Sequence, residues 1–243
     1  MGGPAAPVSE GTRLYAIGDV HGRSDLLEQL LDRLEAHLAA RPVPRPILIF
    51  LGDYIDRGPD SRRVIDQLIR LKQRHEVVYL RGNHERCLME FLRNPSILAT
   101  WLRWGGLYTL RSYGLEPKNY LDSGEQEGLA RSLELILRAS GHFDFFDRLE
   151  TSFTFGDFFF VHAGVRPGLP LDRQSETDLL EIRDVFLSSG SDFGKIVVHG
   201  HTPVPEPDIR ANRINIDTGA FATGRLTCLV IERDVIDLIW SRP

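Results

Sequence analysis

Carboxylates, an amide and imidazoles recur in this chain at one kind of place. Asp19 and His21 stand in Gly18-Asp19-Val20-His21-Gly22, and Asp53 in Gly52-Asp53-Tyr54-Ile55-Asp56-Arg57-Gly58. Asn83 and His84 stand in Gly82-Asn83-His84-Glu85, His162 in Val161-His162-Ala163-Gly164, and His201 in His199-Gly200-His201-Thr202. Asp19 and His21 are two apart, so in an extended segment both face the same way and can reach one cation. The two oxygens of Asp53 can bridge two cations. Asn83 adds a neutral carbonyl oxygen, and His162 and His201 add ring nitrogens. Carboxylate, amide and imidazole without thiolate suit Mn first, with Fe or Zn as alternatives, and do not match a structural zinc site. The oxygen-rich shell of a calcium site is missing. The chemistry such a set can do is hydrolysis on two divalent metal ions.

Each group follows a short apolar run. Leu14 to Ile17, Ile47 to Leu51, Val77 to Leu80, Phe158 to Val161 and Ile196 to Val198 all stop at one of these residues. Runs of this length, rich in β-branched and aromatic residues, read as buried strands. Ligands gather at strand ends in α/β sheets, so the pattern places the whole set on one sheet edge. Between the first runs lie two helical stripes. Leu27, Leu30, Leu31, Leu34 and Leu38 follow a possible N-cap at Ser24, and Val64, Ile65, Leu68, Ile69 and Leu71 follow a start near Asp60 or Ser61. Strand-helix-strand-helix-strand implies right-handed crossovers and a parallel sheet. Residues 86–150 read as a helical insertion lying over the metal edge, carrying Trp101, Trp104, Gly105, Gly106, Tyr108, Tyr113 and Gly114; taken singly, each aromatic equally fits packing of the insertion against the sheet. The second half turns to strands, with Gly156-Asp157 as a tight turn between two of them. The fold class expected is α/β: two packed sheets with helices outside.

The 243 residues carry 42% hydrophobic and 26% charged side chains, ordinary for a soluble globular protein and enough for one sizeable core. We expect one domain over residues 13–243, preceded by a disordered leader at 1–12. A net charge of −5 gives no general surface for nucleic acid or anionic membrane. No apolar stretch approaches the length of a membrane span. Met1 to Arg13 has neither the charged nor the apolar segment of a signal peptide. The two cysteines, Cys87 and Cys228, lack CxxC spacing and fit reduced thiols in a cytoplasmic protein.

The five stretches resemble, in order and across most of the chain, the PPP family of metal-dependent serine/threonine protein phosphatases within the calcineurin-like metallophosphoesterases. The compact length and the Trp104-Gly105-Gly106 to Ser112-Tyr113-Gly114 stretch are most similar to its bacterial and phage members. The resemblance implies a β-sandwich flanked by helices. It also implies roles. Asp19, His21 and Asp53 would hold the first metal, and Asp53, Asn83, His162 and His201 the second. His84 would be the general acid with Asp56 as its orienting partner. Arg57 and Arg183, with Asn83, would bind the substrate phosphate. His199 is not a ligand position in the family and is placed behind the ligand set.

The expected chemistry is direct attack on phosphorus by a hydroxide that the two cations make available near neutral pH, with arginines neutralising the equatorial oxygens. A serine alkoxide leaves poorly, so His84 would supply its proton. The first expectation is therefore hydrolysis of phosphoserine and phosphothreonine in proteins. The alternative is a bis(5'-nucleosyl)-tetraphosphatase-like hydrolase of dinucleoside polyphosphates on the same scaffold. By resemblance, such relatives lack the aspartate at the place of Asp56 and have Asp where this chain has Glu85, which favours the protein phosphatase. A scaffold that binds phosphorylated partners without turnover would be missing a ligand or the acid, and neither is missing here.

Overall fold

The structure is a computed structural model that describes residues 8–117 and 125–241. Residues 1–7 of the expected leader and residues 118–124 of the expected insertion lie outside the described residues. In chain order the first part runs β1 (Thr12–Ile17), α1 (Ser24–Ala40), β2 (Arg45–Phe50), α2 (Ser61–Leu71) and β3 (Glu76–Tyr79). Then come α3 (Asn83–Arg93), α4 (Leu98–Arg103), α5 (Gly106–Ser112), α6 (Gln126–Ala139) and α7 (His142–Asp147). The second part runs β4 (Ser152–Phe155), β5 (Phe158–Val161), α8 (Glu176–Glu181), α9 (Asp184–Leu187), β6 (Ile196–His199), β7 (Asp208–Ile209) and β8 (Arg213–Asn215). It ends with α10 (Ala220–Thr223), β9 (Thr227–Glu232) and β10 (Val235–Trp240).

The strands form two five-stranded sheets, ordered β10-β9-β1-β2-β3 and β4-β5-β6-β8-β7. In the first, β1, β2 and β3 are parallel and β9 and β10 antiparallel. Alternation along β1 and β2 decides the layering. Leu14, Ala16, Ile47 and Ile49 face the second sheet and pack with Phe158, Phe160, Val198 and Ile214. Tyr15, Ile17, Leu48 and Phe50 face the opposite way and pack with Leu27, Leu30, Val64, Leu68 and Leu133. Both faces are apolar because both are covered, which explains the unbroken runs. On the far side of the second sheet, Phe159, Val161 and Val197 pack with Leu179 and Phe186 from α8 and α9. The result is two sheets flanked by helices, as the order of runs predicts.

Three local expectations change. Ser24 is the first residue of α1 and not its cap: Arg23 holds the cap position without a side-chain cap bond, and the Ser24 hydroxyl donates to Asp60 Oδ2 at 3.1 Å. Val8, inside the expected leader, is buried in the core between the sheets, and β1 already begins at Thr12. A left-handed turn at Gly11 makes that possible. The helical stretch begins at Asn83, so the third motif is the first turn of α3, and most of the stretch is not a cover over the metal edge. Leu88, Phe91, Leu129, Leu133, Leu137 and Phe146 share one cluster with α1 and α2. An apolar helix face is buried wherever a matching surface lies, and here that surface is the outer face of the first sheet. Among the described residues of this stretch, the segment from Trp101 to Thr109 reaches the loop after β2.

The strands of the first sheet finish level, with Ile17 opposite Phe50 and Phe50 opposite Tyr79. The loops after β1 and β2 then lace together: the amides of Val20 and His21 donate to the Asp53 carbonyl at 3.1 and 2.8 Å, and Gly22 donates to Tyr54 at 2.8 Å. Their backbones touch at Gly22 and Gly58. A methyl group on Gly58 would stand 2.0 Å from the His21 carbonyl oxygen, and neither partner is a side chain that can move aside. Gly58→Ala is expected to cost about 2–3 kcal/mol, the scale of an overpacked core, in urea unfolding. Gly190→Ala, where a methyl group meets nothing within 4 Å, should stay within about 0.5 kcal/mol of wild type.

Candidate active site

The loops at the level strand ends are held in unusual backbone conformations. Six non-glycine residues among those described have positive φ: His21, Asp53, Asp56, Arg57, His201 and Arg233. Arg233 sits in the turn between β9 and β10. The other five all belong to the sequence-predicted site. Left-handed backbone costs an L-residue roughly 1–2 kcal/mol, and such strain concentrates where structure around it overdetermines the geometry.

Asp53 is the meeting point. Its Oδ2 lies 3.4 Å from His21 Nε2 and 3.8 Å from His84 Nε2, and its Oδ1 lies 3.4 Å from His162 Nε2. His162 Nε2 is also 3.1 Å from Asn83 Oδ1 and 3.2 Å from His201 Nδ1. Two groups of ligand-type atoms result, His21–Asp53–His84 and Asp53–His162–His201, each with its atoms within 4.8 Å of one another. They share Asp53, and Asn83 joins the second. Asp19 lies against them: the His201 amide donates to its Oδ2 at 3.1 Å. His84 also stands beside His21, with the two rings edge to face and 4.8 Å apart.

The donor set fits divalent cations. His21 Nδ1 donates to the Ile55 carbonyl and His162 Nδ1 to the Leu51 carbonyl, both at 2.9 Å, which turns each Nε2 toward Asp53. Burial works against charge on His162, but the Asp53 carboxylate outweighs it and raises that ring above the ordinary imidazole range. Burial pushes His21 down to about 3 and His201 down to about 2, so both rings are neutral. Burial, then the charges of Asp217 and Asp53, pushes Asp19 well above the usual carboxylate range. Asp19 Oδ1 and His201 Nε2 are buried without a hydrogen-bond partner. Crowded buried carboxylates and inward lone pairs lack only positive charge.

The remaining predicted residues surround this centre. Asp56 Oδ2 accepts from His84 Nδ1 at 2.6 Å and from the Trp101 indole at 2.9 Å, while Oδ1 accepts from Thr109 Oγ1 at 2.5 Å. Burial would depress the His84 pKa, but Asp53 and Asp56 outweigh it and raise the value above the ordinary imidazole range. Arg57 Nη2 lies 3.2 Å from His84 Nε2. Arg183 is exposed at the rim, where its Nη1 donates to Thr202 Oγ1 at 3.0 Å, one residue past His201. His199 is buried with its ring edge on Phe186, 5.0 Å away, so it backs the ligand set.

Sequence reasoning missed three contributors. Asp217 is buried beside Asp19, and it follows the run Ile214-Asn215-Ile216, the same strand-end signal as the others. Thr109 and Trp101 hold Asp56 from 53 and 45 residues away, a contact no local pattern reveals. Glu85 binds backbone only: its carboxylate accepts from the amides of Gly82, Asp53, Tyr54 and Ile55.

Comparisons with known proteins assign the family. A sequence profile described as calcineurin-like phosphoesterase matches residues 12–239. The chain is 28% identical over 254 residues to the bis(5'-nucleosyl)-tetraphosphatase PrpE [asymmetrical] of Oceanobacillus iheyensis, covering 95% of this chain and 94% of that one. It is 30% identical over 236 residues to the protein of the same name from Bacillus cereus, covering 88% of each. A crystal structure of a protein provisionally named a diadenosine tetraphosphatase superposes with a TM-score of 0.61 at 19% identity, over 98% of this chain and 96% of that one, a likeness of fold. With its two sheets, its paired ligand groups and a profile match spanning nearly its whole length, the chain belongs to the calcineurin-like phosphoesterases, hydrolases that work with divalent metals.

Proposed function

We propose that this protein hydrolyses dinucleoside polyphosphates. Asp19, His21 and Asp53 would hold one divalent cation and Asp53, Asn83, His162 and His201 the other. The observation that carries the substrate is the match, along 88–95% of the chain, to proteins named bis(5'-nucleosyl)-tetraphosphatase. The cations supply positive charge for the phosphoryl oxygens and hydroxide near neutral pH. The chain's own residues do the rest. Arg57 and Arg183 reach the phosphate from the two sides of the centre. His84, fixed by Asp56 through Nδ1, offers Nε2–H to the leaving oxygen.

A second reading, hydrolysis of phosphoserine and phosphothreonine in proteins, is favoured by one observation, the 2.6 Å bond between Asp56 and His84. That pair supports a charged imidazole, which an alkoxide leaving group needs and a phosphate leaving group does not. Glu85 carries no weight between the readings, because its four partners are all backbone amides and no atom of it need meet a substrate.

At matched enzyme concentration with Mn, diadenosine tetraphosphate should be turned over with higher kcat/KM than a phosphoserine peptide. The reverse order would hand the protein to the second reading. His84→Asn should lower kcat on a phosphoserine peptide by roughly 10²–10⁴-fold, the usual range for a lost general acid. The same variant should lose far less on diadenosine tetraphosphate, whose leaving phosphate is stable as an anion. Equal losses on the two substrates would remove His84 from proton transfer. Metal-stripped protein given Mn at about 100 times its Kd should gain about 2.7 kcal/mol and melt roughly 5–10 °C higher. Asp53→Asn should abolish that shift in differential scanning fluorimetry.

A further inference from the structure

Phe221 is a large apolar side chain left 36% exposed beside the most polar part of the molecule. Its ring stands edge to face with His21 at 5.5 Å, and the Arg57 guanidinium lies over it at 4.8 Å. The segment that presents it is built to do so. Gly219 and Gly224, both left-handed, bracket the single turn of α10. The Asp217 carboxylate accepts from the Gly219 amide at 2.9 Å. Thr223 Oγ1 donates to the Thr218 and Gly219 carbonyls at 2.8 and 3.1 Å. Arg23 Nη1 donates to the Ala220 carbonyl at 3.1 Å while its other nitrogens grip Asp25. A ring exposed on so constrained a turn is fixed in place before any ligand arrives.

Phe221 forms one wall of an open depression of about 650 Å³, whose other walls include Arg23, Arg57 and Pro59. Arg57 therefore belongs to two places at once, beside His84 at the reacting phosphate and over the ring that lines the depression. A substrate phosphate held at Arg57 would carry its next group directly into this space. Flat, fixed aromatic surface next to a guanidinium is the chemistry that takes a nucleobase, since stacking needs only the π-face of each partner.

We infer that the depression between Arg23, Arg57, Pro59 and Phe221 is a nucleoside subsite, with the Phe221 ring as the stacking surface for a base of the substrate. This rests on the dinucleoside polyphosphate reading and adds the residue that selects for the nucleoside. The closing experiment compares kcat/KM on diadenosine tetraphosphate and on β-glycerophosphate, which has no base. Phe221→Ala should lower the ratio of the two by about tenfold or more, the scale of one base stacked on an aromatic ring, chiefly through KM. Phe221→Trp should restore the ratio. An equal fall on both substrates would overturn the inference, leaving the ring as mere support for His21 and Arg57. So would a ratio left unchanged by Phe221→Ala.

Should the wild type fail to turn over diadenosine tetraphosphate, the proposed function fails, but the subsite is still read by inhibition. AMP should compete against β-glycerophosphate more strongly than inorganic phosphate does, and Phe221→Ala should erase the difference. AMP and phosphate inhibiting the wild type equally would overturn the subsite as well.

Discussion

The Glu85 carboxylate accepts four backbone hydrogen bonds, from Gly82 and Asp53 at 2.9 Å through Oε2 and from Tyr54 and Ile55 at 2.8 and 3.3 Å through Oε1. It does so at the third position of α3, where an acidic side chain can turn back to the free amides of a helix start. The bond to Gly82 is that local cap. The other three reach across to the loop after β2 and hold it in the left-handed turn that Asp53 adopts. Burial and the Asp53 charge push Glu85 up to about 7, and its four bonds clamp the start of α3 to the turn that carries Asp53, the residue shared by the two groups.

The clamp also explains why the site needs both halves of the chain. The loops after β1, β2 and β3 bring Asp19, His21, Asp53 and Asn83, while His162 and His201 come from the ends of β5 and β6 in the other sheet. The two sets meet only if the inner faces of the sheets are packed. Leu51 links the two demands: its side chain lies in the core between the sheets, and its carbonyl fixes the His162 ring. Packing and ligand orientation are thus carried by the same residue. A change that loosens the inner core would be felt as a displaced imidazole before it was felt as unfolding.

What could be read in the sequence follows from how local each feature is. The strand-end residues were legible because buried apolar runs and the polar residues that stop them are adjacent in the chain. That the sheets are covered on both faces was legible for the same reason, through runs that stay apolar from end to end. The backbone that aims the strand-end residues was not. It depends on left-handed turns at His21, Asp53 and His201, and none of these is a glycine that would have signalled them. The helical stretch was misplaced because an amphipathic stripe shows that a face is buried but not which surface buries it. Asp217 carries the same strand-end signal, at the end of Ile214-Asn215-Ile216. Glu85 marked substrate class only by resemblance to relatives that have Asp there, whereas its bonds are all to backbone.

Substrate choice is the part that the strand ends leave open, and the reason is chemical. A phosphate ester and a phosphoanhydride present the same three equatorial oxygens, so cations and arginines placed for one serve the other. They differ in what leaves and in what lies beyond the phosphate. On the reading proposed above, the first difference would be met by one pair, Asp56 and His84, whose proton an ester requires and an anhydride merely tolerates; such a pair would serve ester hydrolysis without excluding anhydrides. The second would be met by the walls of the site, the turn around Trp104 beside His84 and the single helical turn around Phe221 beside His21. Both walls are exposed aromatic residues on segments outside the sheets. The sheets hold the reaction constant while those two turns can vary, so a fold of this kind can keep its chemistry and change its substrate without moving a ligand.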